Sequence, residues 1–304
     1  MKSKKNKLAV NNPTYIGRFA PSPTGAAHFG TLLAAMASYL QARINQGIWL
    51  LRIEDIDATR KQNGADTALL NTLEKHGFVW DGEPVYQSSR IAYYQHALQQ
   101  LSKQSLIFPC TCSRKQLGKS AHTVYPGFCR HKQLPESRPH ALRLRCLPQT
   151  ISFSDKIMGS QTFQLATDCG DFIVKRRDHL FAYQLAVTVD DALQGITEVV
   201  RGADLLPSTP KQIYLQGLLG YPQPDYFHIP LAVDKNGYKF NKSTGAARIE
   251  NSLARQNLIR ALDFLGQQPP ADLVQTGIDD IWHWAENHWE AGKIPIHHRQ
   301  LCRR

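Results

Sequence analysis

The stretch Tyr15-Ile16-Gly17-Arg18-Phe19-Ala20-Pro21-Ser22-Pro23-Thr24-Gly25-Ala26-Ala27-His28-Phe29-Gly30-Thr31-Leu32-Leu33-Ala34-Ala35-Met36-Ala37-Ser38-Tyr39-Leu40 decides how the chain begins to fold. Extended apolar residues come first, a Pro/Gly-rich turn follows, and a helix-forming run closes the unit, so the order predicts a strand, a turn and a helix N-terminus. The first turn of a helix leaves backbone N–H groups unpaired at the positive end of the helix dipole. His28, at that junction, adds an imidazole where an anionic phosphate can dock.

A second segment, Lys239-Phe240-Asn241-Lys242-Ser243, follows the turn-prone Asp234-Lys235-Asn236-Gly237. A mobile loop there could close two lysines and a serine over the same phosphates. Between them lie Leu51-Arg52-Ile53-Glu54-Asp55-Ile56-Asp57-Ala58-Thr59-Arg60 and Val199-Val200-Arg201-Gly202-Ala203-Asp204. In this order the four segments resemble the class I aminoacyl-tRNA synthetases, and within them the glutamyl branch. His28-Phe29-Gly30-Thr31 is similar to the His-Ile-Gly-His signature and residues 239–243 to the Lys-Met-Ser-Lys-Ser signature. Thr31 replaces the second His, which removes one imidazole from the adenosine side, although a hydroxyl can still donate a hydrogen bond. Asn241 replaces the first serine, while Lys242, the lysine that the resemblance places on the phosphates, is kept.

Composition bounds the rest. A chain of 304 residues can bury a sizeable core in about two or three structural units. Its 36 Lys and Arg against 25 Asp and Glu, a formal charge of +11, point to a polyanionic partner, with RNA favoured. No apolar run approaches the roughly 20 residues that span a bilayer. Lys2, Lys4, Lys5 and Lys7 precede no long apolar segment, so residues 1–14 read as a disordered basic tail and the cytoplasm as the expected compartment.

Residues 15–109 alternate strand-like and helix-like segments, the pattern of a parallel α/β unit: a strand at 48–53 and helices at 65–76 and 90–103. From 110 to 175 that order breaks into turn-rich sequence with short β-like runs near 141–145 and 172–175, as an insertion would. Parallel-sheet character is expected again at 183–188 and 199–200, with a helix at 211–219 and an extended run at 227–232 leading to the lysine loop. Residues 176–243 thus form the second half of the nucleotide unit, and 244–304 a helical C-terminal region with helices near 252–265 and 279–289. With the resemblance, the fold class is α/β: a Rossmann-like nucleotide-binding domain with a metal-binding insertion and a small helical C-terminal region.

Six cysteines, three of them bunched at Cys110, Cys112 and Cys129, do not form the framework of a small disulfide-rich domain. They read as metal ligands, one short of the tetrahedral set of a structural zinc. His122, His131 and Cys146 are the chemically ordinary candidates for the fourth. Zinc-binding relatives of the glutamyl branch instead use Cys-x-Cys and then Tyr-x-x-x-Cys, which Tyr125-Pro126-Gly127-Phe128-Cys129 matches, so the resemblance implies Tyr125. Cys146, Cys169 and Cys302 read as buried or incidental thiols.

Activation of an amino acid is attack of its carboxylate on the α-phosphorus of ATP, and positioning with cationic stabilisation does most of the work. The resemblance implies His28 and Lys242 as the catalytic residues, His28, Gly30, Thr31, Lys239 and Lys242 around ATP, and Mg²⁺ arriving with the nucleotide. A glutamate pocket needs an acid for the ammonium and an arginine fork for a carboxylate. On positions matching the glutamyl branch, Arg18, Ala20, Ser22, Glu54, Tyr183 and Arg201 line it. Glu54 then meets the ammonium, Arg18 and Arg201 meet carboxylates, and Tyr183 offers its hydroxyl. Asp55 and Asp57 read as a charged strand end paired with Arg52 or Arg60, and for Arg201 the competing reading is a surface ion pair.

Only residues 244–304 follow the lysine loop, where full-length glutamyl-tRNA synthetases continue into helical domains that read the anticodon. The resemblance is therefore to the truncated group that activates glutamate without tRNA and attaches it to the queuosine at the wobble base of tRNA(Asp). The partners it implies are ATP, L-glutamate and the tRNA(Asp) anticodon loop, for an enzyme acting as a monomer. Two other readings compete: a shortened glutamyl-tRNA synthetase charging the 3′ end, and a non-catalytic RNA-binding module.

Overall fold

The computed structural model describes residues 15–57, 59–118, 124–132, 139–233, 249–297 and 299–301. Strand β1 (Ile16–Phe19) runs into the Pro/Gly turn and helix α1 (Phe29–Ile44). Alanines and unbranched apolar residues favour the helix, and burial of 29, 32–33 and 35–42 shows that it crosses the core. The chain then reverses at Gly47, where a Cβ would stand 2.5 Å from the carbonyl oxygen of Tyr15, so only glycine lets the next strand approach. That strand, β2 (Ile48–Ile53), pairs in parallel with β1, Ile16 opposite Ile48.

Helix α2 (Ala65–Lys75), β3 (Val85–Tyr86) and α3 (Ile91–Lys103) follow, with β3 parallel to β2. Strand β4 (Ile107–Cys110), the short helix α4 (Arg114–Leu117), β5 (Ala141–Leu144), the hairpin β6 (Thr150–Asp155) and β7 (Gly159–Gln164), and β8 (Phe172–Lys175) come next. Then come helix α5 (Tyr183–Leu193), β9 (Glu198–Gly202), α6 (Thr209–Leu219), β10 (Asp225–Ile229) and β11 (Leu231–Val233). The C-terminal region is α7 (Ala254–Phe264), α8 (Ile278–His288) and β12 (Arg299–Leu301), the last parallel to β11.

Sheets β3-β2-β1 and β7-β6-β10-β9 meet where the Thr197 N–H donates to the Ile16 carbonyl, 2.9 Å away, just before β9. The strand order reverses beside β1. In open α/β sheets ligands bind at such a switch point, beyond the carboxyl ends of the strands.

Two expectations need correction. Residues 183–188 are the first half of α5 and not a strand: a short run buried on most sides looks alike in either state. Here length and the buried Asp190 and Asp191 on the same helix favour α5. The stretch 110–175 is also not a separate insertion throughout. β4, β5 and β8 form their own antiparallel sheet, but the β6–β7 hairpin joins the nucleotide sheet, β6 lying parallel to β10 with Asp155 opposite Tyr226. The C-terminal helices pack on α1: Phe264 meets Phe29 edge-on at 5.8 Å, Trp282 lies 4.8 Å from Tyr39, and Trp289 Nε1 donates to Gln41 Oε1 at 2.8 Å. The helix that carries His28 is thus held from behind. Among the described residues no helix is long and apolar enough to cross a membrane.

Candidate active site

His28 is the N-cap of α1. Its Nδ1 accepts the Thr31 N–H at 3.3 Å, and the Thr31 hydroxyl oxygen lies 3.4 Å from the His28 nitrogen, closing a capping box. Gly30 makes room for the ring, since a Cβ there would stand 3.3 Å from its Cε1 and Nδ1. With Nδ1 accepting, a neutral ring carries its proton on Nε2. His28, Gly30 and Thr31 line a cavity of about 240 Å³ with Pro21, Gly202 and Pro230, at the ends of β1, β9 and β10.

Lys239, Asn241, Lys242 and Ser243 lie outside the described residues, and so does His122. The chain on either side of the lysine segment is placed: Leu231 and Ala232 line the cavity, and the Ile249 N–H donates to the Ala27 carbonyl at 3.1 Å.

A second cavity of about 560 Å³ is lined by Ser22, Glu54, Asp57, Arg176 and Tyr183, among others, and Ser22 is a wall of both. Glu54, just past β2, is buried beside Arg52 at 3.9 Å, and its Oε1 has no hydrogen-bond partner in the structure. Burial, opposed by Arg52 and Arg18, pushes its carboxyl up to about 7. Tyr183 opens α5, and burial raises its phenol.

Arg18, Ala20 and Arg201 are not among the residues lining either cavity. Arg18 is buried against Asp191, Nε to Oδ1 at 3.0 Å and Nη2 to Oδ2 at 3.4 Å, and Ala20 links β1 to the turn. Arg201 is also buried, which removes the surface ion-pair reading, and its Nη1 lies 3.5 Å from the Tyr183 hydroxyl. Asp57 pairs with Arg60 at 2.9 Å, as the sequence suggests, but also with Arg176 at 2.6 Å, while Asp55 takes Ser88 and Lys61.

Sequence reasoning missed the buried polar layer behind these residues. Arg52, fully buried, donates to Asp191 at 2.7 Å and Gln194 at 2.6 Å, and Asp190 accepts from Gln87, Arg90 and Tyr94. Two adjacent acids inside an otherwise apolar helical run were the available signal, because buried carboxylates require cationic partners.

In the knuckle after β4 the three thiol sulfurs of Cys110, Cys112 and Cys129 lie within 4.8 Å of one another. The Tyr125 oxygen stands 3.5 Å from Cys110 Sγ and 3.6 Å from Cys112 Sγ, and accepts the Cys129 N–H at 2.8 Å. Cys146 is engaged elsewhere, its Sγ donating to the Gly170 carbonyl at 2.9 Å, and His131 is exposed. Three soft thiolates at this spacing suit a zinc-type ion at about 2.3 Å from each sulfur. Arg177 donates to the Thr111 carbonyl at 2.6 Å, so the turn whose Arg176 holds Asp57 also grips the knuckle.

A strand–turn–helix junction at the switch point of a parallel sheet, abutting a larger charged cavity, is the arrangement of a class I nucleotide-dependent ligase. The model for the tRNA synthetases class I (E and Q), catalytic domain, matches residues 16–272, and the chain belongs to that family. It is 50% identical over 284 residues to the glutamyl-Q tRNA(Asp) synthetase of Ectopseudomonas mendocina, covering 93% of this chain and 96% of that protein. To the glutamyl-Q tRNA(Asp) synthetase of Pseudomonas aeruginosa PAO1 it is 49% identical, with 93% and 96% covered. Among solved structures, a glutamate tRNA ligase from Elizabethkingia meningosepticum shares the fold with a TM-score of 0.78 at 22% identity, covering 95% of this chain and 67% of that one.

Proposed function

We infer that this protein joins L-glutamate to ATP, giving glutamyl adenylate and pyrophosphate without tRNA, and then passes the glutamyl group to queuosine at the wobble position of tRNA(Asp). The observation that carries the activation step is the shared wall at Ser22: a nucleotide in the first cavity and an amino acid in the second bring α-phosphorus and carboxylate to one place. The acceptor rests on the relatives, whose name specifies it and whose length the chain spans almost completely.

In this reading Glu54 takes the ammonium, and Arg201 with Tyr183 takes the side-chain carboxylate. Arg18 holds the floor through Asp191 and offers its charge to a carboxylate, while Ala20 and Ser22 shape the wall. The carboxylate oxygen attacks the α-phosphorus and pyrophosphate leaves. His28 Nε2–H and Lys242 meet the charge that develops on the phosphoryl oxygens, with Gly30, Thr31 and Lys239 around the nucleotide and Mg²⁺ accompanying it. The adenylate already has a good leaving group, so a hydroxyl of the queuosine diol attacks the acyl carbon and AMP departs without a covalent enzyme intermediate.

Cys110, Cys112, Cys129 and Tyr125 would hold one structural zinc, and the protein works as a monomer in the cytoplasm. Glutamate-dependent exchange of labelled pyrophosphate into ATP tests the first step. The expected result is exchange in RNA-free protein; exchange that appears only when tRNA is added would overturn the reading.

A further inference from the structure

Arg201 leaves β9 with three of its faces already committed. Nε donates to His228 Nε2 at 3.0 Å, and Nη2 donates to Thr209 Oγ1 at 2.9 Å and lies 3.5 Å from the Leu205 carbonyl. Nη1, the remaining nitrogen, points to Tyr183, a wall of the second cavity. Behind the arginine, His228 of β10 sits fully buried with Nδ1 2.5 Å from Asp155 Oδ2. Asp155 Oδ1 is filled by the backbone N–H groups of 157, 158 and 228, at 3.0, 2.8 and 3.3 Å.

One proton arrangement satisfies every contact. If His228 carries its proton on Nδ1, it donates to Asp155, and Nε2 is free to accept both from Arg201 and from the Thr209 hydroxyl 3.3 Å away. In the other tautomer Nε2–H would face the Arg201 N–H while Nδ1 faced a carboxylate, leaving both contacts repulsive in a site that water does not reach. Burial also keeps the ring neutral, pushing its pKa down to about 4 against the pull of Asp155. The neutral ring therefore lets the carboxylate balance the buried guanidinium without touching it.

We propose that Asp155 and His228 are a positioning pair that fixes the Arg201 fork for the substrate's side-chain carboxylate. The proposal rests on the assignment of that carboxylate to Arg201. It also gives the β6–β7 hairpin a role: this segment supplies Asp155 behind His228, and through it behind Arg201. Neither residue reaches the substrate. Their effect is to spare the arginine a search among rotamers, so it falls on glutamate affinity and on the preference for a carboxylate over an amide.

Three variants of the full chain test this by calorimetry with L-glutamate, L-glutamine and, separately, ATP, with thermal melting and ¹⁵N imidazole spectra as structural readouts. His228→Ala should weaken L-glutamate about tenfold or more and narrow its advantage over L-glutamine, with ATP binding within about twofold of wild type. His228→Gln should recover most of the loss, because an amide presents one acceptor and one donor as the neutral ring does. Asp155→Asn keeps its oxygen on the three N–H groups and turns an NH₂ toward Nδ1. It should therefore move the His228 proton to Nε2 and weaken glutamate although the fold persists.

The positioning role is overturned if glutamate binds the wild type and all three variants alike, if His228→Gln is as weak as His228→Ala, or if the tautomer inverts in Asp155→Asn with affinity intact. Should His228→Ala fail to fold, the other two variants decide. Wild-type protein that binds ATP but no glutamate would instead sink the pocket assignment itself, and the pair with it.

Discussion

His28 and Thr31 cap each other: the ring nitrogen of one takes the backbone N–H of the other, at 3.3 Å, and the hydroxyl oxygen of the second lies 3.4 Å from the backbone nitrogen of the first. Threonine in place of a second imidazole thus has a structural use. Its hydroxyl steadies the His28 backbone, while the backbone N–H of residue 31 holds the ring at Nδ1. His28→Ala should cost about 2 to 4 kcal/mol of transition-state stabilisation in pyrophosphate exchange, the range for loss of one preorganised donor. Thr31→Ala removes the reciprocal acceptor and one hydroxyl from the cavity wall, so a loss of about 1 kcal/mol in stability with His28 still in place is expected. Near-normal exchange in His28→Ala would show that the ring is not the active donor.

Glu54 gives the site a pH dependence whose sign can be worked out. Burial pushes the carboxyl up to about 7, and an ammonium binds only the carboxylate form. Glutamate affinity should therefore be full above pH 7 and fall about tenfold per unit below it. For folding the sign is opposite: the raised value favours the native state below the ordinary carboxyl range, and that contribution fades as pH rises toward 7. Calorimetry from pH 5 to 8 checks the first statement. Glu54→Gln should bind weakly with a flat profile, and a wild-type profile that is already flat would remove Glu54 from the ammonium.

Much of this was legible in the chain because the local signals agreed. The turn at 21–27, flanked by a strand and an alanine-rich helix, fixes one corner of the fold by itself, and Cys110-x-Cys112 announces its chemistry. What stayed hidden depends on contacts distant in sequence. Arg18 meets an acid at 191, Arg201 meets a histidine at 228, and that histidine meets an acid at 155. No periodicity encodes such pairs. Residues 183–188 misled for a related reason: a helix buried on most sides loses the amphipathic stripe by which helices are recognised.

The cysteine knuckle should respond to ligand loss locally. Elemental analysis should find one zinc per chain, and Cys112→Ser should release it, since thiolates give most of the binding. Because Arg177 grips the backbone of the knuckle and Arg176 holds Asp57, the loss should also loosen the rim of the second cavity, raising the Michaelis constant for glutamate more than that for ATP. The sheets β3-β2-β1 and β7-β6-β10-β9 should keep their melting behaviour. Fully active protein without metal would show that the thiols serve no structural ion.

The acceptor is the most exposed assignment. If the catalytic site receives a wobble nucleoside, labelled glutamate should pass to tRNA(Asp) carrying queuosine, and neither to the same RNA lacking it nor to tRNA(Glu). Arg60 and Arg176 line the second cavity, where two guanidinium groups would favour an anionic RNA backbone. Those arginines are already shared with Asp57, so the formal charge of +11 on the whole chain is the remaining source of ionic attraction for RNA. Transfer should accordingly weaken steeply as salt rises, by release of counterions from the RNA, while RNA-free pyrophosphate exchange changes little. Digestion of the charged RNA separates the outcomes. Label on the anticodon fragment supports transfer to queuosine, whereas label on the 3′-terminal adenosine would make the protein a shortened glutamyl-tRNA synthetase, and no label with normal exchange would mean that the true acceptor lies elsewhere.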